Sequence, residues 1–170
     1  MRPSREALLG WLGAVMDPEV PVVSIVDLGI LRDVQWLGDT VVVTVTPTYS
    51  GCPATEVIAQ SIRDALTAHG IAQVNVQTQL APAWTTDWMS EQGRSALRAY
   101  GIAPPVHRAA ASDGGQVIDM RALLPGQAVV PCPQCGSHTT RLLSQFGSTA
   151  CKALYRCNAC LEPFDYFKPH

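Results

Sequence analysis

From the N-terminus, Ala7, Leu8, Trp11, Leu12, Val15 and Met16 recur every three or four residues, the spacing of one helix face. Ser4 stands where an N-cap belongs, and Asp17-Pro18 pushes the chain out of helical geometry, so the pattern predicts a helix over 5–16. An extended stretch, EVPVVSIVDLG, follows. Then ILRDVQWL at 30–37 and TVVVTVT at 40–46 flank the two-residue turn Gly38-Asp39, a hairpin signal. The second run is apolar on both faces, which predicts a central, covered strand. Pro53 suits a first helical position, and Val57, Ile58, Ile62, Ala65 and Leu66 make one stripe before Gly70 ends that helix. Residues 73–80 (QVNVQTQL) alternate amide side chains with Val74, Val76, Thr78 and Leu80, as a half-exposed strand does. A short helix is expected near 88–100, stopping at Gly101. The order helix, strand, strand, helix, strand makes the second strand, its helix and the third strand a right-handed parallel crossover.

Beyond that point the periodicity fades. APPVHRAAASDGGQVIDMRALLPGQ is rich in Ala, Pro and Gly, a linker composition. Strand-type residues return at Thr139-Thr140, Leu142-Leu143, Leu154-Tyr155 and Phe164 to Phe167. The expected fold class is α+β: a small α-β-β-α-β domain at 1–102, a linker at 103–127 and a cysteine-rich β domain at 128–170. The 170 residues have room for one medium domain or two small ones. Residues 1–130 hold 8 Arg, no Lys and 12 acids, whereas 131–170 hold 4 basic and 2 acidic residues. A net charge of −2 gives no global basic field for nucleic acid. The longest apolar stretches fall short of the ~20 residues that span a bilayer. Arg2 and Arg5 precede an apolar stretch, but acidic residues bracket it and no small-residue cleavage site follows, so a cytoplasmic protein without a signal peptide is expected.

The strongest chemical signal is Cys132-Pro-Gln-Cys135-Gly, then Cys157-Asn-Ala-Cys160. Two C-x-x-C pairs at this separation form a zinc-ribbon pattern, four thiolates at tetrahedral corners. Structural zinc is the simplest reading. Rubredoxin-like iron is a second, since Cys₄ also takes iron, and disulfides are a third. So small a segment rarely folds on its core alone, and metal binding supplies ~10–16 kcal/mol in comparable sites. Cys151 reads either as a small buried residue or as an auxiliary thiol. His138 is a possible alternative ligand, though a surface position suits it better, and His69 at a helix end complements the dipole.

Cys52 stands alone in Ser50-Gly51-Cys52-Pro53, just before the second helix. The dipole and unpaired amides of a helix N-terminus stabilise an anion, so one reading is a thiolate of lowered pKa, fit to be a nucleophile or soft ligand; the other is a buried apolar Cys in a tight turn. His69, ~25 Å along the same helix at 1.5 Å per residue, is too far to be its base. No complete catalytic constellation or phosphate loop is present, which argues against an enzyme. Asp17-Pro18-Glu19 and Asp27-Leu28-Gly29 read as turn chemistry or as acidic loops near Cys52.

DPEVP at 17–21, SIVDLGIL at 24–31, TPTYSGCPA at 46–54, TTDWMS at 85–90 and YGIAPP at 100–105 resemble the small iron–sulfur assembly family that includes SufT. With the Cys₄ ribbon, FGSTACKALYRC and EPFDYFKP, the chain resembles the PaaD (PaaJ) subgroup, encoded with the phenylacetyl-CoA 1,2-epoxidase of bacterial phenylacetate degradation. The resemblance implies a non-catalytic accessory protein that assists iron–sulfur maturation of the epoxidase system's flavin and [2Fe–2S] reductase. It implies a zinc ribbon, a family cysteine at Cys52 in transient contact with iron or a cluster, and family motif positions at Asp17, Glu19 and Asp27. Its partners would be epoxidase components, with no membrane and with a homodimer allowed. One rival is a structural subunit of the oxygenase without metal transfer. Another is a nucleic-acid-binding ribbon, disfavoured because Arg141, Lys152, Arg156 and Lys168 are spread out.

Overall fold

The computed structural model describes residues 2–106 and 129–169. It divides into two compact units between Ala96 and Leu97. The first unit opens with α1 (Arg5–Leu12), capped by Ser4, whose Oγ accepts from the Ala7 amide at 3.2 Å. α1 stops short of the expected residue 16 because residues 15–17 are recruited elsewhere. The Ile25 amide donates to the Val15 carbonyl and the Asp17 amide to Val23, a short antiparallel bridge with no place for helical geometry.

β1 (Leu31–Leu37) and β2 (Thr40–Val45) form the expected antiparallel hairpin, and β3 (Val74–Thr78) joins β2 in parallel after the crossover helix α2 (Ala54–Ala68). The order β1-β2-β3 leaves β2 central, with Val41, Val42, Val43 and Val45 all buried. Ile58, Ile62 and Leu66 of α2 and Leu8 and Leu12 of α1 are buried as well, as are Val20, Val23, Ile25 and Leu28 of the loop before β1. Pro53 is the N-cap of α2 rather than its first residue. After β3, a 3₁₀ turn (Thr86–Trp88) leads into α3 (Glu91–Tyr100), which begins later than expected because Ser90 Oγ accepts from the Gly93 amide as a cap would. Gly29, at φ +73°, is fixed by space as well: a Cβ there would lie 2.5 Å from the Trp88 carbonyl oxygen.

The second unit is a sheet in the order β4-β7-β6-β5, comprising β4 (Ile102–Ala103), β5 (Thr140–Ser144), β6 (Lys152–Cys157) and β7 (Pro163–Phe167). The expected domain boundary at 102 falls inside β4, which pairs in parallel with β7; two residues carry too little periodicity to be read as a strand. Most of the expected linker, 103–127, lies outside the described residues. The unit's core is small: Val130, Ala153, Tyr155, Phe164 and Tyr166 pack beside Cys132 and Cys157. Tyr155 stacks on Phe164 at 5.9 Å and meets Tyr166 edge-on at 5.5 Å.

Candidate metal centre and the Cys52 turn

Two knuckles bring the four ribbon cysteines together. In the first, the Gly136 amide donates to the Cys132 carbonyl and the Cys132 amide to Ser137. In the second, the Ala159 and Cys160 amides point at Cys157 Sγ, at 3.4 and 3.5 Å. Each knuckle ends on a left-handed residue, Gly136 at φ +73° and Leu161 at φ +67°. Glycine announced the first; leucine hid the second.

All four sulfurs lie within 4.8 Å of one another. Cys132 and Cys160 are 3.7 Å apart, Cys135 and Cys157 3.6 Å. A tetrahedral ion with 2.3 Å bonds to sulfur requires edges of ~3.8 Å, so the donor set fits a resident metal ion. None of the described cysteines is disulfide-bonded. The Cys160 amide, foremost, holds the Cys157 thiol down to about 6. Cys160 is pushed up to about 12: the Glu162 amide opposes this, but burial and three neighbouring sulfurs prevail. Four thiols this close cannot all ionise without a cation among them.

The other ribbon candidates stand apart from the sulfur cluster. Cys151 is buried, its Sγ 3.0 Å from Thr149 Oγ1, as a small core residue would be. His138 is exposed and outside the group. Lys152, counted in the sequence among basic residues, is only 5% exposed and faces Asp165 at 3.6 Å, with Ser148 Oγ on the same carboxylate oxygen. That removes one cation from any nucleic-acid surface.

In the first unit burial works against one reading of Cys52, the low-pKa thiolate, and favours the other, a buried thiol in a tight turn. The thiol is 9% exposed, and burial, the largest cause, pushes its pKa up. Hydrogen bonds from the Ala54 amide and the Tyr49 side chain favour the anion, but the helix terminus brings too few donors to outweigh burial and the negative charges of Glu19 and Asp17. The same electrostatics place Asp17 and Glu19 at the Cys52 turn. Asp17 is itself buried, its Oδ1 accepting from the Glu19 and Val20 amides at 2.8 Å each.

Asp27 spends its oxygens on two serines. Its Oδ2 accepts from Ser24 Oγ at 2.8 Å, its Oδ1 from Ser90 Oγ at 2.6 Å, and its carbonyl from the Ser90 amide. It clamps the start of α3 to the 24–29 loop. His69 lies at the end of α2 as expected, but its ring stacks on Trp11 at 4.1 Å, a contact no sequence spacing announces.

A cavity of about 430 Å³ adjoins the turn, lined by Thr46 to Ser50 and by Leu80, Ala83 and Trp84. Tyr49 serves both the cavity and the Cys52 sulfur. Trp84 is held there by an Nε1 bond to the Leu28 carbonyl at 2.9 Å. No periodicity in the chain announces this cavity; the hydroxyl-rich run TPTYS and an isolated Trp after β3 are its available signals. No helix among the described residues is long and apolar enough to cross a membrane.

Comparison with known proteins accords with both halves. Residues 5–78 match the family described as "Iron-sulfur cluster assembly protein" and residues 119–168 the "PaaD zinc beta ribbon domain". An Escherichia coli protein, named as a putative subunit of 1,2-phenylacetyl-CoA epoxidase, is 49% identical over 98% of this chain and 93% of its own. A Porphyromonas gingivalis protein named "Fe-S protein maturation auxiliary factor" is 34% identical over 52% of this chain and 86% of its own. A crystal structure of DUF59, a domain of unknown function from Bacillus anthracis, covers 55% of this chain and 90% of its own at a TM-score of 0.51 and 31% identity.

Proposed function

Since the chain belongs to the PaaD family, in which an iron–sulfur assembly domain is joined to a zinc ribbon, we propose that it is a non-catalytic accessory protein of a phenylacetyl-CoA epoxidase system, assisting cluster maturation of the flavin and [2Fe–2S] reductase. The observation that carries this reading is the Cys52 turn, one thiol attended by two carboxylates on an assembly-type domain. Burial and the acids keep the thiol protonated at rest. The same acids attract a cation, and an arriving metal reverses the balance: the proton leaves and sulfur becomes a ligand. A single thiolate cannot hold a cluster that takes four, so the contact is brief and the remaining ligands come from the client.

Zinc is the proposed ion of the ribbon, bound by Cys132, Cys135, Cys157 and Cys160. It would supply the stability that the small core lacks. The ribbon then presents the exposed Phe146, with Lys168 Nζ 4.5 Å above its ring, as part of a docking surface.

The test is Cys52→Ser in cells carrying the whole system, with cluster content of the reductase measured separately from epoxidase turnover. The reading requires an iron-depleted reductase; full cluster occupancy would sink it. A second reading, a structural subunit of the oxygenase, is favoured by the name of the E. coli relative, which calls that protein an epoxidase component. It requires fixed-stoichiometry co-purification with the oxygenase and a fully loaded reductase after deletion.

A further inference from the structure

The outer edge of β3 is built to pair with its own copy. β3 ends its sheet, and among the described residues no strand covers it. Its ladder to β2 extends past both ends: the Val41 amide donates to the Gln73 carbonyl and the Gln79 amide to Val45, at 2.9 and 2.8 Å. The odd-numbered residues therefore spend their backbone groups on β2, and Val74, Val76 and Thr78 turn theirs outward. The side chains follow the same symmetry. Residues 72–80 read Ala, Gln, Val, Asn, Val, Gln, Thr, Gln, Leu, so small or apolar positions and amides mirror each other about Val76.

Edges that must stay single ordinarily carry charge, proline or a bulge. This one has no charged residue and no proline from 72 to 80, and no register shift along its pairing with β2. By contrast β5, an edge of the ribbon sheet, is bulged between Leu142 and Ser144.

We propose that two copies of this chain associate by antiparallel pairing of β3 about a two-fold axis at Val76, making a six-stranded sheet. Val76 exchanges both backbone hydrogen bonds with Val76 of the second copy, and Val74 does so with Thr78. Asn75 and Gln77 then face each other across the seam as amide pairs, and the exposed Leu80 meets Ala72. An electroneutral seam of amides and β-branched side chains suits an identical partner, because two copies meet on it without repulsion. So narrow an interface makes the dimer weak and concentration-dependent.

The two-fold axis also sets where the Cys52 turns lie. Each turn follows the C-terminal end of β2, and antiparallel pairing sends those ends in opposite directions. Four residues along the strand and three strand spacings across separate the two Val45 positions by ~20 Å. The dimer therefore does not join two Cys52 thiols on one cluster.

The test is sedimentation of the full metal-loaded chain over a concentration series, with circular dichroism confirming the fold of each variant. In this register residue 75 opposes residue 77 of the other copy. Asn75→Lys/Gln77→Lys sets like charges against each other, and Asn75→Lys/Gln77→Glu sets opposite ones. The first should weaken dimerisation at least ~tenfold and the second should retain it. A wild-type chain that stays monomeric at ~100 μM would overturn the proposal, as would two variants that dimerise equally.

Discussion

Replacing the residue that closes each knuckle separates backbone strain from packing. Gly136 and Leu161 occupy equivalent places, after Cys135 and after Cys160, and both have positive φ. A Cβ on Gly136 would meet nothing within 4 Å. Leu161 is 60% exposed, so less than half of it is covered. Left-handed backbone costs an L-residue ~1–2 kcal/mol, whereas glycine escapes that but loses ~0.5–1 kcal/mol more chain entropy on folding. At either position glycine should therefore be better than alanine by ~0.5–1 kcal/mol. Metal binding and ribbon folding are linked, so the difference appears as ~two- to fivefold in metal affinity. Gly136→Ala should bind zinc more weakly than wild type. Leu161→Gly should bind it more tightly than Leu161→Ala, although both lose the same covered part of the leucine, ~0.6–1.2 kcal/mol. Titrating the zinc-loaded chain with a chromophoric chelator at fixed pH measures all four proteins. Alanine equal to or better than glycine at either position would refute the strain argument.

Cys52 should alkylate with iodoacetamide along a pH profile displaced above that of an ordinary thiol, and Glu19→Gln should speed the reaction at neutral pH by removing a charge that raises the pKa; an unchanged rate would count against that electrostatic account. Because the folded pKa is raised, Cys52 contributes stability that is complete below the unfolded thiol's pKa and is lost as pH rises through the folded value, so wild type should lose ground to Cys52→Ala in alkaline chemical denaturation. Asp27→Ala should cost ~1–3 kcal/mol in denaturant unfolding, and Ser90→Ala should cost less in that background than alone, since the two share one hydrogen bond. Lys152→Met should destabilise the ribbon by ~1–3 kcal/mol by leaving Asp165 without its cation, and Lys152→Met/Asp165→Leu should recover most of the loss; a double variant no better than the single would contradict the pairing.

Where a segment's pattern repeated over a long enough run, the chain disclosed its structure. The Val-rich 40–46 run and the paired C-x-x-C motifs each sit where expected, and so do Ile58, Ile62 and Leu66 of the α2 stripe, whereas Val57 faces solvent and Ala54 and Ala59 are buried in its place. The end of α1 did not show, because Val15 and Met16 continue the helical stripe while their backbone pairs with residues 24–25 across a loop. β4 did not show because two residues have no period. For Cys52 the sequence left two readings open, an anion at a helix N-terminus and a buried thiol, with Asp17 and Glu19 as candidate neighbours. The helix N-terminus is local and legible, but burial and the approach of Asp17 and Glu19 are set by the folding of a distant loop. Asp27 shows the same limit, since DLG resembles DPE on paper and yet its oxygens go to Ser24 and Ser90.

The sulfur inventory constrains how the proposed maturation role can operate. Cys132, Cys135, Cys157 and Cys160 are committed to one tetrahedron, and Cys151 is buried in the ribbon core. In the first unit the described residues offer one thiol, Cys52, with hard carboxylates beside it. A thiol with two acids is a poor resting place for a cluster but a reasonable landing point for a single cation, because charge attracts the ion and sulfur then binds it at the expense of a proton. Pairing through β3 would not add a second thiol, since it carries the two turns to opposite ends of the joined sheet. A cluster held in passing therefore needs its other ligands from the client, which makes the client's own cysteines, rather than a second copy of this chain, the completing half of the site.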